Sequence, residues 1–178
     1  MNEYDKITQG IDVRIDPLAV IKRPDILVVG NHIAIDCFAY VSTKVTLADW
    51  VHIAPFVSII GGTYSELTVG SFTVLAAGAR IICATDDWKS SMICSFVPIE
   101  YRNIITKPIV IGDFAGVATN AVVMPGVTMA RGSMAAANSL LMKDTVEWGV
   151  YMGTPARLVG YRNKEDILAS AKKMGYDL

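Results

Sequence analysis

The chain's strongest constraint on its own folding is a period of six. From residue 111 the sequence divides into IGDFAG VATNAV VMPGVT MARGSM AAANSL LMKDTV. Ile111, Val117, Val123, Met129, Ala135 and Leu141 open successive sextets. The fifth places, Ala115, Ala121, Val127, Ser133, Ser139 and Thr145, are small or β-branched. An α-helix repeats every 3.6 residues and a strand every 2, so neither explains this spacing. A six-residue repeat is the signature of a parallel β-helix, in which each short strand ends at a corner and the chain winds on. The opening aliphatic side chain then points inward, and the small fifth residue fits beneath the next corner.

The same frame runs through the N-terminal half. Val29, Ile35, Val41, Leu47, Ile53 and Ile59 follow in steps of six, preceded by two imperfect sextets at Ile15 and Ile21. After an interruption at residues 60–68 it resumes at Val69, Leu75 and Ile81. Three sextets make one triangular coil, with faces A, B and C counted from Val29. Ile59 and Ile81 both fall on face C, so the interruptions at 60–68 and 84–108 leave from one corner, where backbone faces water and insertion is tolerated. The second is long enough to suggest a functional loop without regular structure.

Composition excludes several alternatives. A net charge of −1 makes no electrostatic case for nucleic acid or a membrane surface. Residues 109–130 are apolar enough to raise a membrane span, but Asp113, Asn120 and Pro125 fall at repeat corners and the sextet frame accounts for the apolarity. The opening MNEYDKITQG lacks the basic and apolar regions of a signal peptide. Three cysteines, Cys37, Cys83 and Cys94, form no CxxC and cannot all pair, which points to a reduced, cytoplasmic setting. Asn163 is a suitable N-cap for a short C-terminal helix with an Ile167, Leu168, Ala171 and Met174 stripe. That helix is expected to seal the open end of the coil stack.

The stretches IVIGDFAGVATNAVVMPGVTM, NSLLMKD and GTPAR resemble the hexapeptide-repeat acyltransferases, a left-handed parallel β-helix group that includes sugar O-acetyltransferases, xenobiotic acetyltransferases and nucleotide-sugar N-acetyltransferases. The left hand is implied by the resemblance alone, because parallel crossovers are normally right-handed. The resemblance also implies a homotrimer with acetyl-CoA lying between neighbouring coils. Carried over by position, Ala118 and Thr119 match the backbone site near the thioester. Ala137 and Lys143 match positions along the pantetheine and phosphates, and Arg157 matches a basic residue near the adenosine end. Lys143 and Arg157 are suitable partners for phosphate; their other reading is as ordinary solvated charges.

The chemistry departs from the resemblance. Acyl transfer needs a base near the acceptor and donors for the thioester oxyanion. The xenobiotic and galactoside branches place a histidine at the start of the long loop, where this chain has Ala84-Thr85-Asp86-Asp87. The branch acting on 4-amino sugars has an Asp-His-Asp stretch upstream of His-Ile-(Ala/Ser)-Pro. This chain keeps the second element, His52-Ile53-Ala54-Pro55, but carries Ser42-Thr43-Lys44 at the first. His32 falls at a corner and reads as structural. His52 precedes an inward Ile53, so it faces outward on face B and is the candidate base, with Asp86 or Asp87 orienting it or holding the sugar. Trp88, Glu100 and Tyr101 suit a sugar ring, although Trp88 and Tyr101 equally suit pinning the loop to the coil. Trp50 and Trp148 read as packing or subunit contacts, and Cys83 and Cys94 as inert.

Two histidines are too few for the three-histidine zinc site of a γ-class carbonic anhydrase, and no metal is expected. A non-catalytic CoA- or partner-binding protein is a rival reading. So is an N-acetyltransferase on an amino sugar nucleotide, whose acceptor loses its own proton as the bond forms. The leading expectation is one all-β domain over residues 1–178: lead-in 1–14, β-helix 15–152 with loop 84–108, and a C-terminal turn and helix from 153. It would act as a cytoplasmic, homotrimeric O-acetyltransferase moving acetyl from acetyl-CoA to a sugar or polysaccharide precursor, with no nucleic acid partner and no membrane span.

Overall fold

A computed structural model describes residue 7 and residues 10–63 and 65–176. The chain is a parallel β-helix with three faces, and every one of the openers lands where the period places it. Val29, Leu47, Val69, Ile111 and Met129 stack in register on face A. Ile15, Ile35, Ile53, Leu75, Val117 and Ala135 do so on face B. Ile21, Val41, Ile59, Ile81, Val123 and Leu141 do so on face C. All are buried except Ile15 at the first coil, which is half-buried. The fifth-place residues Ala115, Ala121, Val127, Ser133, Ser139 and Thr145 are buried beside them. Stacking each aliphatic side chain on its equivalent one coil away removes its surface from water twice over, which is why a strand of two or three residues suffices.

In most sextets the fourth residue takes the left-handed backbone conformation that turns the corner. On the corner between faces A and B these are His32, Trp50, Phe72 and Phe114, with φ between 57° and 59°. A non-glycine residue pays about 1–2 kcal/mol for that conformation. Here the aromatic rings recover it by stacking: His32 on Trp50 at 3.9 Å, Phe72 on Phe114 at 4.8 Å, and Phe114 near Trp148 at 6.1 Å. Beside them, Asp113 accepts from the Ser71 N–H at 2.8 Å and Asp49 from the Asn31 N–H at 2.7 Å. On this corner the second place is tight: a Cβ on Gly70 would stand 2.5 Å from the Asp113 nitrogen.

Three expectations are corrected. First, the helix Lys164–Lys173 does not seal the open end. It lies along the aromatic corner, packing Ala171, Ile167 and Leu168 against Phe114, Trp148 and Phe72. Tyr176 then meets Phe72 edge-on and accepts a hydrogen bond from the Trp50 indole. The rings along that corner give the apolar stripe of the helix a matching surface, and Phe114, Trp148 and Ala171 are buried there together. Asn163 does cap it, accepting from the Asp166 N–H at 3.2 Å. Arg162 anchors the approach, donating to the Gly132 carbonyl at 2.9 Å and to that of Phe114; burial lowers its pKa. Second, the segment from 153 is not only a turn and a helix: Gly149–Gly153 adds a seventh parallel strand to face B, and Ala156–Tyr161 folds back on it antiparallel. Third, loop 84–108 is not irregular throughout. Ala84–Asp86 pairs antiparallel with Ile104–Thr106, making a two-stranded arm.

Candidate functional site

His52 sits in the strand Val51–Ile53 of face B, flanked by two buried residues, so the pleat turns its imidazole outward. Its partner is Asp36 on the preceding coil: Nε2 lies 2.7 Å from Oδ2, with both side chains substantially exposed. Asp36 follows the inward Ile35 and its backbone N–H is held by the Ile53 carbonyl at 2.9 Å, so the pair is set by coil stacking. A carboxylate on Nε2 leaves Nδ1 as the free nitrogen of the ring. His32 and its own aspartate, Asp12, lie across Ala34 in the same shallow pocket, with His32 Nδ1 at 3.3 Å from Asp12 Oδ2. His32 is turned against Trp50, which supports its structural reading.

The two acids proposed as partners of His52 are engaged elsewhere. Asp86 accepts from Arg102 Nη2 at 2.7 Å and Nε at 3.0 Å, a two-pronged pair across the arm. Asp87 accepts from Ser90, the Lys89 N–H and Asn103, and these bonds, led by Ser90, lower its pKa. Among the described residues neither acid bonds to His52. The sequence missed Asp36 because the pairing depends on coil register; the available signal was its position one coil before His52.

Trp88, Glu100 and Tyr101 are exposed on the loop, with Trp88 at 70% and Tyr101 at 60%. The two rings do not pin the loop to the coil; the Asp86–Arg102 pair and the paired strands hold it. Phe96 is 96% exposed at the same arm. Trp148 is buried and Trp50 is stacked, as packing residues. Cys83 is wholly buried and its thiol is pushed up to about 12, so it is inert; Cys94 is exposed.

The five positions matched to the cosubstrate divide between one corner and one cleft at the C-terminal end of the stack. Ala118 and Thr119 turn the corner after face B, and Ala137 turns it one coil on, where the Asn138 N–H bonds the Thr119 carbonyl at 3.0 Å. Thr154 continues the column through Asn138. The Ala118 N–H is taken by the Ala135 carbonyl at 2.9 Å. The N–H groups of Thr119 and Ala137 have no partner among the described residues, leaving two backbone donors at exposed corner tips. Lys143 and Arg157 line a single cleft of about 530 Å³ with Met142, Tyr151 and Leu158. An apolar wall with two cations and the single acid Asp144 fits a molecule such as CoA, which carries a long amide chain and phosphates. Among the described residues no group of His, Cys, Asp and Glu is placed to hold a metal, and no helix is long and apolar enough to cross a membrane.

No family model matches the chain. It is 26% identical over 160 residues to the dTDP-4-amino-4,6-dideoxy-D-glucose acyltransferase of Escherichia coli, covering 88% of this chain and 82% of that protein. In fold it matches a mutant of AntD, an N-acyltransferase from Bacillus cereus in complex with dTDP-4-amino-4,6-dideoxyglucose and Coenzyme A. That match has a TM-score of 0.89 at 23% identity over 95% of this chain and 89% of that one. It also matches the hexapeptide-repeat containing acetyltransferase VCA0836 from Vibrio cholerae, complexed with acetyl coenzyme A. Here the TM-score is 0.57 at 21% identity over 92% of this chain and 74% of that one. At these identities the structural likeness is one of fold. The resemblance to hexapeptide-repeat acyltransferases, first carried by the sextets and GTPAR, thus stands in sequence across most of the chain and in architecture across nearly all of it.

Proposed function

We propose that the protein is a CoA-dependent acyltransferase whose acceptor is the amine of a nucleotide-linked amino sugar. The observation that carries this is the cleft of Lys143 and Arg157, beside which the corner N–H groups of Thr119 and Ala137 have no partner among the described residues and lie in the same last coils. It supports acyl-CoA binding with the thioester directed to the corner and the phosphates to the cations. The choice of an amine rests on the E. coli relative, named for a dTDP-linked 4-amino sugar, whose similarity extends over most of both chains. A neutral amine attacks the thioester carbonyl without prior deprotonation, so this reading requires neither of the histidines that the two branches carry and this chain lacks. The thioester oxygen gains negative charge as the C–N bond forms, and the Thr119 N–H is the available backbone donor. The thiolate of CoA leaves, and the ammonium proton passes to solvent or to His52.

A second reading is acetyl transfer to a sugar hydroxyl, as the sequence first suggested. It is favoured by the His52–Asp36 pair, because a hydroxyl needs a base and a carboxylate at 2.7 Å orients and charges-balances an imidazole in that role. In either case Trp88, Glu100 and Tyr101 are candidates for the sugar, and Asp86 and Asp87 shape the loop that presents them. We further propose a homotrimer in a reduced, cytoplasmic setting: the arm's exposed Trp88, Ile93 and Phe96 are suited to burial against a neighbouring copy, and the cysteines are unpaired. The test is release of CoA from acetyl-CoA with dTDP-4-amino-4,6-dideoxyglucose and with its 4-hydroxyl counterpart. Turnover with the amine and little with the hydroxyl supports the first reading; the reverse supports the second; neither overturns both.

A further inference from the structure

Away from the Lys143–Arg157 cleft, the chain adds residues repeatedly at one corner. The segments after Ile21, after Ile60 and after Ile82 all leave face C and return to face A. Between them they wall a pocket of about 420 Å³. Lys44, from the uninterrupted coil, completes it.

The charges lining this pocket are unbalanced. Arg23, Lys44 and Lys107 contribute three positive charges and Glu66 the single negative one, leaving two in excess (3 − 1). Glu66 is committed to Lys44, with Nζ to Oε2 at 2.8 Å, as their paired register dictates. The side chains of Arg23 and Lys107 have no ion pair or hydrogen bond among the described residues. Lys107 is nevertheless positioned: its stem lies over Gly126, where a Cβ would stand 2.8 Å from Lys107 Cδ. Ser65 adds a hydroxyl that is shielded from solvent and has no partner among the described residues. A buried hydroxyl without a partner, next to two unneutralised cations, calls for a polyvalent anion with several acceptor oxygens.

We propose that this corner pocket binds the diphosphate of a phosphate-bearing ligand, at a site separate from the Lys143–Arg157 cleft. Arg23 and Lys107 supply the charge, Ser65 donates to a phosphate oxygen, and Glu66 moderates affinity by occupying Lys44. The inference stands on the pocket's own residues and does not require the transferase reading to hold.

The test is calorimetric titration of the full chain with inorganic diphosphate and with dTDP. Saturable binding of diphosphate and dTDP is expected, weakening as ionic strength rises. Arg23→Ala and Lys107→Ala should each weaken it by about ten-fold. Glu66→Gln should tighten it several-fold by removing the negative charge and releasing Lys44. Lys143→Ala should leave it unchanged. Equal affinity for diphosphate and dTDP identifies a site reading phosphate alone; tighter dTDP binding identifies one that also reads the nucleoside. No saturable binding, insensitivity to all three pocket substitutions, or loss of binding in Lys143→Ala overturns the proposal. Thermal unfolding of each variant separates lost binding from lost folding. Acetyl transfer measured in parallel tests the transferase reading on its own.

Discussion

His52 and Asp36 meet across consecutive coils, Nε2 to Oδ2 at 2.7 Å, although sixteen positions separate them in the chain. Strand register creates this contact, since Ala34 and His52 are backbone partners and Asp36 follows on the same strand's exit. If the pair is a base and its orienting carboxylate, His52→Ala lowers acyl transfer to a hydroxyl acceptor by roughly 10²- to 10⁴-fold. Asp36→Asn lowers it less and leaves binding of acyl-CoA intact. With an amine acceptor both substitutions cost far less. Steady-state kinetics on the two acceptor classes read the difference, and unchanged hydroxyl turnover in His52→Ala removes the residue from the mechanism.

Lys143 and Arg157 share one cleft while projecting from different elements. Replacing either with Ala should raise KM for acetyl-CoA by roughly ten-fold with kcat little altered, because phosphate contacts far from the thioester hold ground and transition states alike. A fall in kcat at constant KM would place them elsewhere in the reaction.

Leu75 is completely buried on face B between Ile53 and Val117. Leu75→Ala should cost about 2–5 kcal/mol of stability by opening a cavity that stacked coils cannot collapse. Gly70→Ala should cost about 1–3 kcal/mol for the opposite reason, since its Cβ would press on the Asp113 backbone. Chemical denaturation of the two variants measures both, and a neutral Gly70→Ala would show that the corner yields.

Cys83 keeps its proton to about 12 in the folded chain, because burial disfavours the thiolate, against an ordinary value of 9.0. Between those values the unfolded chain releases the proton and the native chain retains it. Stability therefore falls as pH rises through that window, at up to about 1.4 kcal/mol per pH unit, and the contribution is intact below 9. At pH 8, alkylation of the native protein should modify exposed Cys94 and spare Cys83. Rapid native labelling of Cys83, read by peptide mass, would contradict its burial.

Arg102 closes on Asp86 at 2.7 Å with both side chains largely shielded. Arg102→Met leaves that carboxylate without its partner and should loosen the arm, seen as faster proteolysis within residues 84–108, while the coil core retains its hydrogen-exchange protection.

The repeat was legible in the linear chain because each sextet repeats the same local demand: an inward aliphatic, a small residue beneath the corner, and a turn at the fourth place. Summed over coils, that demand leaves one architecture, and Val29 through Leu141 fell on the faces that counting assigned them. Lys143 and Arg157, which the resemblance matched to the cosubstrate, share one cleft, and its use for acyl-CoA is the proposal made above. What counting could not supply was any contact made at right angles to the chain. The partnership of His52 with Asp36, the diversion of Asp86 to Arg102, and the helix lying along the rings of Phe72, Phe114 and Trp148 each depend on which corners stand side by side. A six-residue period states where a side chain points. Only the stacking of coils, and the surplus apolar surface left along one corner, decides what it meets there.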